Sequence, residues 1–303
     1  MASDFLSGDA TSAAVAGGLG TLSAADGYTL RYRRYRPASS TRAAVLFLHG
    51  IQSHAGWYDG SCRFLAARGF DVFFVDRRGS GMNNQDRGFC TGVGQLCDDV
   101  VRCVNHVRMH AKGLPVFLAA ISWGAKLAVA TLKRRPRLVD GLVLVTPGFA
   151  AKIGPTLRER LMIGWSFLLW PRRPIRVPLT DPELFTDNEE WKEFLRQDPR
   201  LLRVGTARLL MTSVFLDRQL PSAARRVDVP TVTFLAGRDR IIDNERVRRY
   251  VNGFAARDNR VIEYASAHHT LEFEQDPTPY FHDLADWLTE HARAPALPNS
   301  RIG

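Results

Sequence analysis

The stretch that most limits the possible folds of this chain runs from Pro115 to Ala130, PVFLAAISWGAKLAVA. An apolar run of strand length leads into one serine, and a helical run of small and apolar residues follows. Ser122 lies in Ala120-Ile121-Ser122-Trp123-Gly124, a variant of the G-x-S-x-G turn with alanine at the first small position. In that turn the serine occupies a strained strand-to-helix reversal, and the two backbones nearly touch on either side of it. Residues two before and two after must be tiny, a demand that Ala120 and Gly124 meet. Taken alone, the pentapeptide also fits an ordinary turn serine, so the rest of the chain must decide.

The surroundings repeat the same strand-then-helix pattern. Residues 18–24 and 29–35 flank the hairpin signal Asp26-Gly27 and predict an antiparallel pair at a sheet edge. The continuous apolar run at 43–49 has the character of a strand buried on both faces, 71–76, 115–121 and 141–146 are expected to be further strands of that sheet, and sheet-like sequence resumes at 230–236. Helical segments at 58–68, 93–112, 122–133, 244–254 and 278–291 alternate with them, and a last strand covers 260–265. Such alternation predicts a parallel α/β sheet with right-handed crossovers and a ligand site at the carboxyl ends of the strands. His49–Ile51, residues 77–81, Ser122 and Pro147-Gly148 all fall at those ends.

The alternation breaks between residues 149 and 222. That span holds an unusually apolar helix at 156–170, an extended piece at 175–179, and helices near 188–196 and 198–218. It is expected to form a cap inserted between two parts of a core, 18–148 and 223–292. Residues 1–17 are expected to be a loose leader and 293–303 a frayed tail.

Other function classes find little support. The formal charge is +10, but the basic residues are scattered rather than clustered with aromatics, so no nucleic-acid partner is expected. Cys62, Cys90, Cys97 and Cys103 form no CxxC, and no metal-ligand spacing or phosphate-binding glycine loop is present. Neither a metal nor another cofactor is expected. Reduced thiols and the lack of a signal-like N-terminus suit a cytoplasmic location. The longest apolar run, 161–170, is about half of a membrane span.

Acyl transfer by a serine requires a base for the hydroxyl proton, a carboxylate to orient that base, and donors for the oxyanion. On a sheet of this kind the chain order is Ser, then Asp or Glu, then His. Ser122 follows one buried strand, Asp239 or Asp243 follows the next, and His268 or His269 follows the last. Asp239 comes directly after the Gly237-Arg238 turn, where a short side chain reaches across the sheet edge, whereas Asp243 has the position of a helix N-cap. The oxyanion donors should be the backbone N–H groups of Trp123 and Ile51. His49 is expected to pin the oxyanion turn rather than to react, and His54 is a candidate substrate contact.

With these residues in place the chain resembles the α/β-hydrolase superfamily. More narrowly it is similar to the monoacylglycerol lipase and lysophospholipase branch of serine hydrolases. His49-Gly50-Ile51-Gln52-Ser53-His54 with Trp57-Tyr58 resembles the HGxxxHxxxY oxyanion segment of that branch. Asp76-Arg77-Arg78-Gly79-Ser80-Gly81 with Asp86-Arg87-Gly88 resembles its DxRGxGxS…RG loop, with asparagine where serine is usual. Residues 237–243 resemble GxxDxxV[DP], which puts the acid on Asp239. Ala267-His268-His269-Thr270-Leu271 with Glu274 resembles GAxHxLxxxxE, which puts the base on His269. The resemblance implies an α/β-hydrolase fold with a mostly parallel eight-stranded sheet, helices on both faces and a helical cap. It also implies a carboxylic-ester substrate.

In such enzymes the cap walls the acyl pocket. The apolar helix at 156–170 is expected to pack on the sheet and line that pocket, with Trp165 and Phe167 as lining candidates. Its flanking Arg158, Arg160, Arg172 and Arg173 also allow a peripheral contact with a lipid interface. Either arrangement calls for a substrate with an apolar acyl arm.

Overall fold

The computed structural model describes residues 17–292; the expected tail and all but the last residue of the expected leader lie outside the described residues. The chain opens with a hairpin of β1 (Gly18–Ser23) and β2 (Thr29–Tyr35). Gly27 supplies the positive φ of its turn, and the Ala24 N–H closes it onto the Tyr28 carbonyl. Then follow β3 (Ala43–Leu48), α1 (Asp59–Ala67), β4 (Phe70–Val75), α2 (Val93–Ala111), β5 (Val116–Ile121), α3 (Trp123–Arg134) and β6 (Gly141–Val145). After an excursion, β9 (Thr231–Ala236), α7 (Asn244–Val251), β10 (Asn259–Tyr264) and α8 (Thr278–Ala292) complete the fold.

The strands form one eight-stranded sheet in the order β1-β2-β4-β3-β5-β6-β9-β10. Only β1 and β2 run against their neighbours. Every residue of β3, β4, β5, β6 and β9 is buried, as continuous apolar runs require when helices cover both faces. The chain steps from β3 outward to β4, then back past β3 to β5. Right-handed crossovers in opposite directions place α1 and α2 on opposite faces. Accordingly α1 packs with α8, whereas α2 packs with α3. The reversal opens a crevice at the carboxyl ends of β3 and β5, where such sheets bind ligands.

The excursion holds α4 (Leu157–Leu169), β7 (Pro174–Arg176), α5 (Glu189–Gln197), β8 (Val204–Thr206) and α6 (Ala207–Ala224). Two expectations fail here. Residues 198–206 are not helical: the Asp198 carboxylate is drawn to His54 and Trp57, and β8 pairs antiparallel with β7. The helix begins only where Thr206 accepts the Leu209 N–H as its N-cap.

The second failure concerns α4. Leu157, Leu161, Trp165 and Leu168 recur at helical spacing and all point outward, with Trp165 66% and Leu168 71% exposed. Leu169 and Trp170 extend the stripe. Of the thirteen residues only Ile163 and Ser166 are buried. The helix is apolar around most of its circumference, so packing one side leaves an apolar side uncovered. Trp165 therefore faces solvent, not the pocket expected for it.

Candidate active site

The serine turn forms as the small residues demand. Ser122 has φ 51° and ψ −120°, a left-handed conformation rarely adopted by a non-glycine residue. It is held from three sides. The Ser122 N–H donates to the Val145 carbonyl, and the Ser122 carbonyl accepts from Ala125 and Gly148 N–H groups. A Cβ on Gly124 would lie 2.7 Å from the His49 carbonyl oxygen and 2.8 Å from that of Leu48, so no larger residue fits without displacing β3. The strained serine thus sits half-buried at the head of α3, with the N–H of Trp123 at the helix N-terminus.

Around it the carboxyl ends of three strands converge. His269 Nε2 lies 2.9 Å from Ser122 Oγ, and His269 Nδ1 lies 2.7 Å from Asp239 Oδ2. Asp239 Oδ1 accepts the N–H groups of Ile241 and Ile242 at 2.8 and 2.9 Å. With the carboxylate so committed, Nδ1 carries the imidazole proton and Nε2 is left to accept from the serine hydroxyl. Asp239 and His269 are both buried, and the edge of Phe185 covers the imidazole at 6.1 Å between ring centroids. The alternatives lie elsewhere. Asp243 accepts the Arg246 N–H as the N-cap of α7. His268 turns to Glu274, whose Oε1 takes its backbone N–H at 2.7 Å and lies 3.1 Å from its Nδ1.

The turn after β3 lies against the serine: a Cβ on Gly50 would be 3.4 Å from Ser122 Cβ. His49 is fully buried and locks this turn. The Arg77 N–H donates to His49 Nε2 at 2.9 Å, which leaves the proton on Nδ1, 2.8 Å from the Gly50 carbonyl. Burial, reinforced by the Arg77 charge, holds its pKa well below the ordinary value, so the ring is neutral. Ile51 is half-buried at the mouth of the crevice.

The remaining candidates separate. Both ring nitrogens of His54 are engaged: Nδ1 accepts the Gly56 N–H, and Nε2 lies 2.9 Å from Asp198 Oδ2. The same carboxylate oxygen takes the Trp57 indole N–H. Burial opposes the charge on Asp198, but these hydrogen bonds outweigh it and hold its pKa down to about 2. His54 thereby ties the excursion to the core. Phe167 packs edge-on against Phe215 with the Arg208 guanidinium over its face. The Trp123 indole N–H donates to Ser213 of α6 at 2.9 Å, joining the serine turn to the excursion.

Two residues that carry the site were not singled out from sequence. Lys152 Nζ donates to the Asp239 carbonyl at 2.7 Å. Arg77, read only as part of the loop motif, is buried against the Trp123 ring at 4.6 Å. A second arginine directly after a buried strand at the carboxyl edge was the available signal for it.

Comparison with known proteins agrees with this geometry. The family described as Serine aminopeptidase, S33 matches residues 39–276. Human monoglyceride lipase is 24% identical over 274 residues, covering 88% of this chain and 88% of its own length. Lysophospholipase L2 of Escherichia coli is 22% identical over 296 residues, covering 88% of this chain and 86% of its own. A crystal structure of a soluble variant of monoglyceride lipase from Saccharomyces cerevisiae, in complex with a substrate analog, superposes with a TM-score of 0.82. It is 19% identical and covers 92% of this chain and 96% of its own. The chain belongs to the serine aminopeptidase S33 family, in the monoacylglycerol lipase- and lysophospholipase-like branch of the α/β-hydrolases.

Proposed function

We propose that this protein hydrolyses carboxylic esters of monoacylglycerol- or lysophospholipid-like molecules through an acyl-enzyme on Ser122. The observation that carries the reading is the unbroken relay from Ser122 Oγ through His269 to Asp239 beneath a strained turn. His269 Nε2 takes the hydroxyl proton as Oγ attacks the ester carbonyl, and Asp239 stabilises the imidazolium that forms. The N–H groups of Ile51 and Trp123 receive the oxyanion. As the intermediate collapses, His269 returns the proton to the leaving alcohol, and water repeats the sequence in reverse to free the fatty acid.

Residues 149–222 act as a cap over this crevice. Phe167 and the Trp123 ring, both tied to α6, supply apolar wall for the acyl arm. The outward stripe of α4, rimmed by the exposed Arg158, Arg160, Arg172 and Arg173, supports a second role, a peripheral contact with a lipid surface. No helix among the described residues is long and apolar enough to cross a membrane.

Hydrolysis of p-nitrophenyl esters from acetate to palmitate tests the reading. Ser122→Ala should lower kcat by about 10^4-fold or more, and the rate should peak at a medium or long acyl chain. Unchanged activity in Ser122→Ala would overturn the nucleophile. A peak at acetate would overturn the lipid-like substrate.

A further inference from the structure

Arg77 is a buried cation beside the serine turn. It is only 4% exposed, yet no carboxylate among the described residues forms a salt bridge with it. Its neighbour Asp76 spends both oxygens elsewhere, on the N–H groups of Ala55 and Met82. Arg77 instead gives its Nη2 to two carbonyls, Gly50 O at 2.7 Å and Ile51 O at 2.9 Å. Its Nε and Nη1 are buried with no hydrogen-bond partner. The guanidinium carbon lies 4.6 Å from the centre of the Trp123 ring. Isolating a cation in this way is costly, because burial disfavours charge that no opposite charge offsets.

We propose that Arg77 is a positioning residue for the oxyanion hole, binding and polarising the two segments that supply its N–H donors. The inference rests on the reading of Ser122 as nucleophile and of Ile51 and Trp123 as donors. A trans peptide holds its C=O and N–H in opposite directions. Fixing the Gly50 carbonyl from behind, together with His49, therefore aims the Ile51 N–H away from Arg77. A cationic donor on that carbonyl also withdraws electron density through the amide and strengthens its N–H as a donor. Cation–π contact with Trp123 links the same guanidinium to the second donor segment. Burial draws its pKa down to about 10, against the opposing influence of Cys90 and Asp76, and at neutral pH the group remains charged. The positive charge therefore lies close to where negative charge develops, in a medium where screening is weak.

The test compares two ligands. A trifluoromethyl ketone with an acyl-like chain adds to the serine and forms a tetrahedral oxyanion, whereas the matching alkyl amide occupies the site without doing so. In Arg77→Gln, ketone affinity and kcat should fall together by about ten- to a hundredfold, less than the loss from deleting an oxyanion donor outright. Amide affinity and KM should stay within about threefold. Arg77→Lys keeps the charge and should recover most of the loss, and it serves as the measured variant if Arg77→Gln does not fold. Then a loss of about three- to tenfold confined to the ketone is expected, and none would overturn the proposal. Equal losses for ketone and amide in a folded variant would also overturn it, because the pocket and not the oxyanion would be damaged. If the unmodified enzyme forms no ketone adduct at Ser122, the nucleophile reading itself fails. If it does and Arg77→Gln binds the ketone as tightly, only the role of Arg77 fails.

Discussion

The serine turn and helix α4 are built on opposite principles. Around Ser122 nearly every group is committed: its backbone is bonded to β6, α3 and Gly148, and its hydroxyl meets an imidazole whose other nitrogen meets a carboxylate. Gly124 leaves no room for a methyl group against β3. On α4 the reverse holds, with five large apolar side chains facing outward and only two of its residues buried. Preorganisation is useful where charge develops within a fixed geometry. An apolar face left open is useful only toward something that comes and goes, as a lipid surface does. The contrast teaches that the preorganised geometry and the open apolar face lie on separate parts of the chain, joined through side-chain ties that include Trp123–Ser213 and His54–Asp198.

The largest expected effect lies in the rigid half. Asp239→Asn should lower kcat by about 10^4-fold while leaving the fold intact, because an amide at this position favours the wrong imidazole tautomer. The same change at Asp243 should leave stability nearly unchanged, because asparagine caps a helix about as well as aspartate, with the rate preserved. Steady-state kinetics and urea unfolding of the two variants check this. The reverse pattern would transfer the acid to Asp243.

A smaller effect measures what rigidity costs. Glu272, buried just beyond His269, accepts the Ser61 N–H with one oxygen and has no partner for the other. Burial foremost, with Asp59 adding to it, raises its pKa from 4.5 to about 7, and Tyr58, Cys62 and Tyr280 are the other titratable groups around it. The folded pKa exceeds the unfolded one, so this group's contribution to stability is intact below about pH 4.5. It is lost as pH rises through about 7, by on the order of 3 kcal/mol. Glu272→Gln should remove that slope and be the more stable protein at pH 8 but not at pH 5. Urea midpoints at the two pH values measure it, and parallel profiles for variant and parent would show that the carboxyl ionises normally.

The smallest effect sharpens the other half. Trp165→Ser combined with Leu168→Ser should lower partition onto phospholipid vesicles by at least about tenfold, because a helix lying at the interface realises only part of the about 1.5–3 kcal/mol per fully buried apolar side chain. Hydrolysis of a water-soluble ester should change by less than about twofold. A matching loss on the soluble ester would mean that α4 belongs to the pocket after all, and the contrast between the two regions would collapse.

Much of the sheet was legible because a strand buried on both faces must be largely apolar: β3, β5 and β6 are wholly so, β4 departs only at Asp71, and β9 only at Thr231 and Thr233. The order of serine, acid and base followed from strand ends, since a side chain just past a parallel strand can only lie along one edge. The start of α6 was not legible. Val204, Gly205 and Thr206 are poor helix formers, but nothing local shows that the Asp198 carboxylate is pulled to His54 and Trp57 from far away in sequence. The direction of α4 was equally hidden, because a helix apolar around most of its circumference carries little record of which apolar side is covered.

Local rules thus determined the strands, the sharp serine turn and the chain order of the candidate triad, because each depends on residue size, polarity or periodicity within a few positions. Only the tertiary structure decided that Trp165 faces solvent, that His54 binds Asp198, and that a buried Arg77 grips the turn beside Ser122. Those outcomes depend on which distant groups arrive at the same place, and burial turns such meetings into energies that no single segment contains.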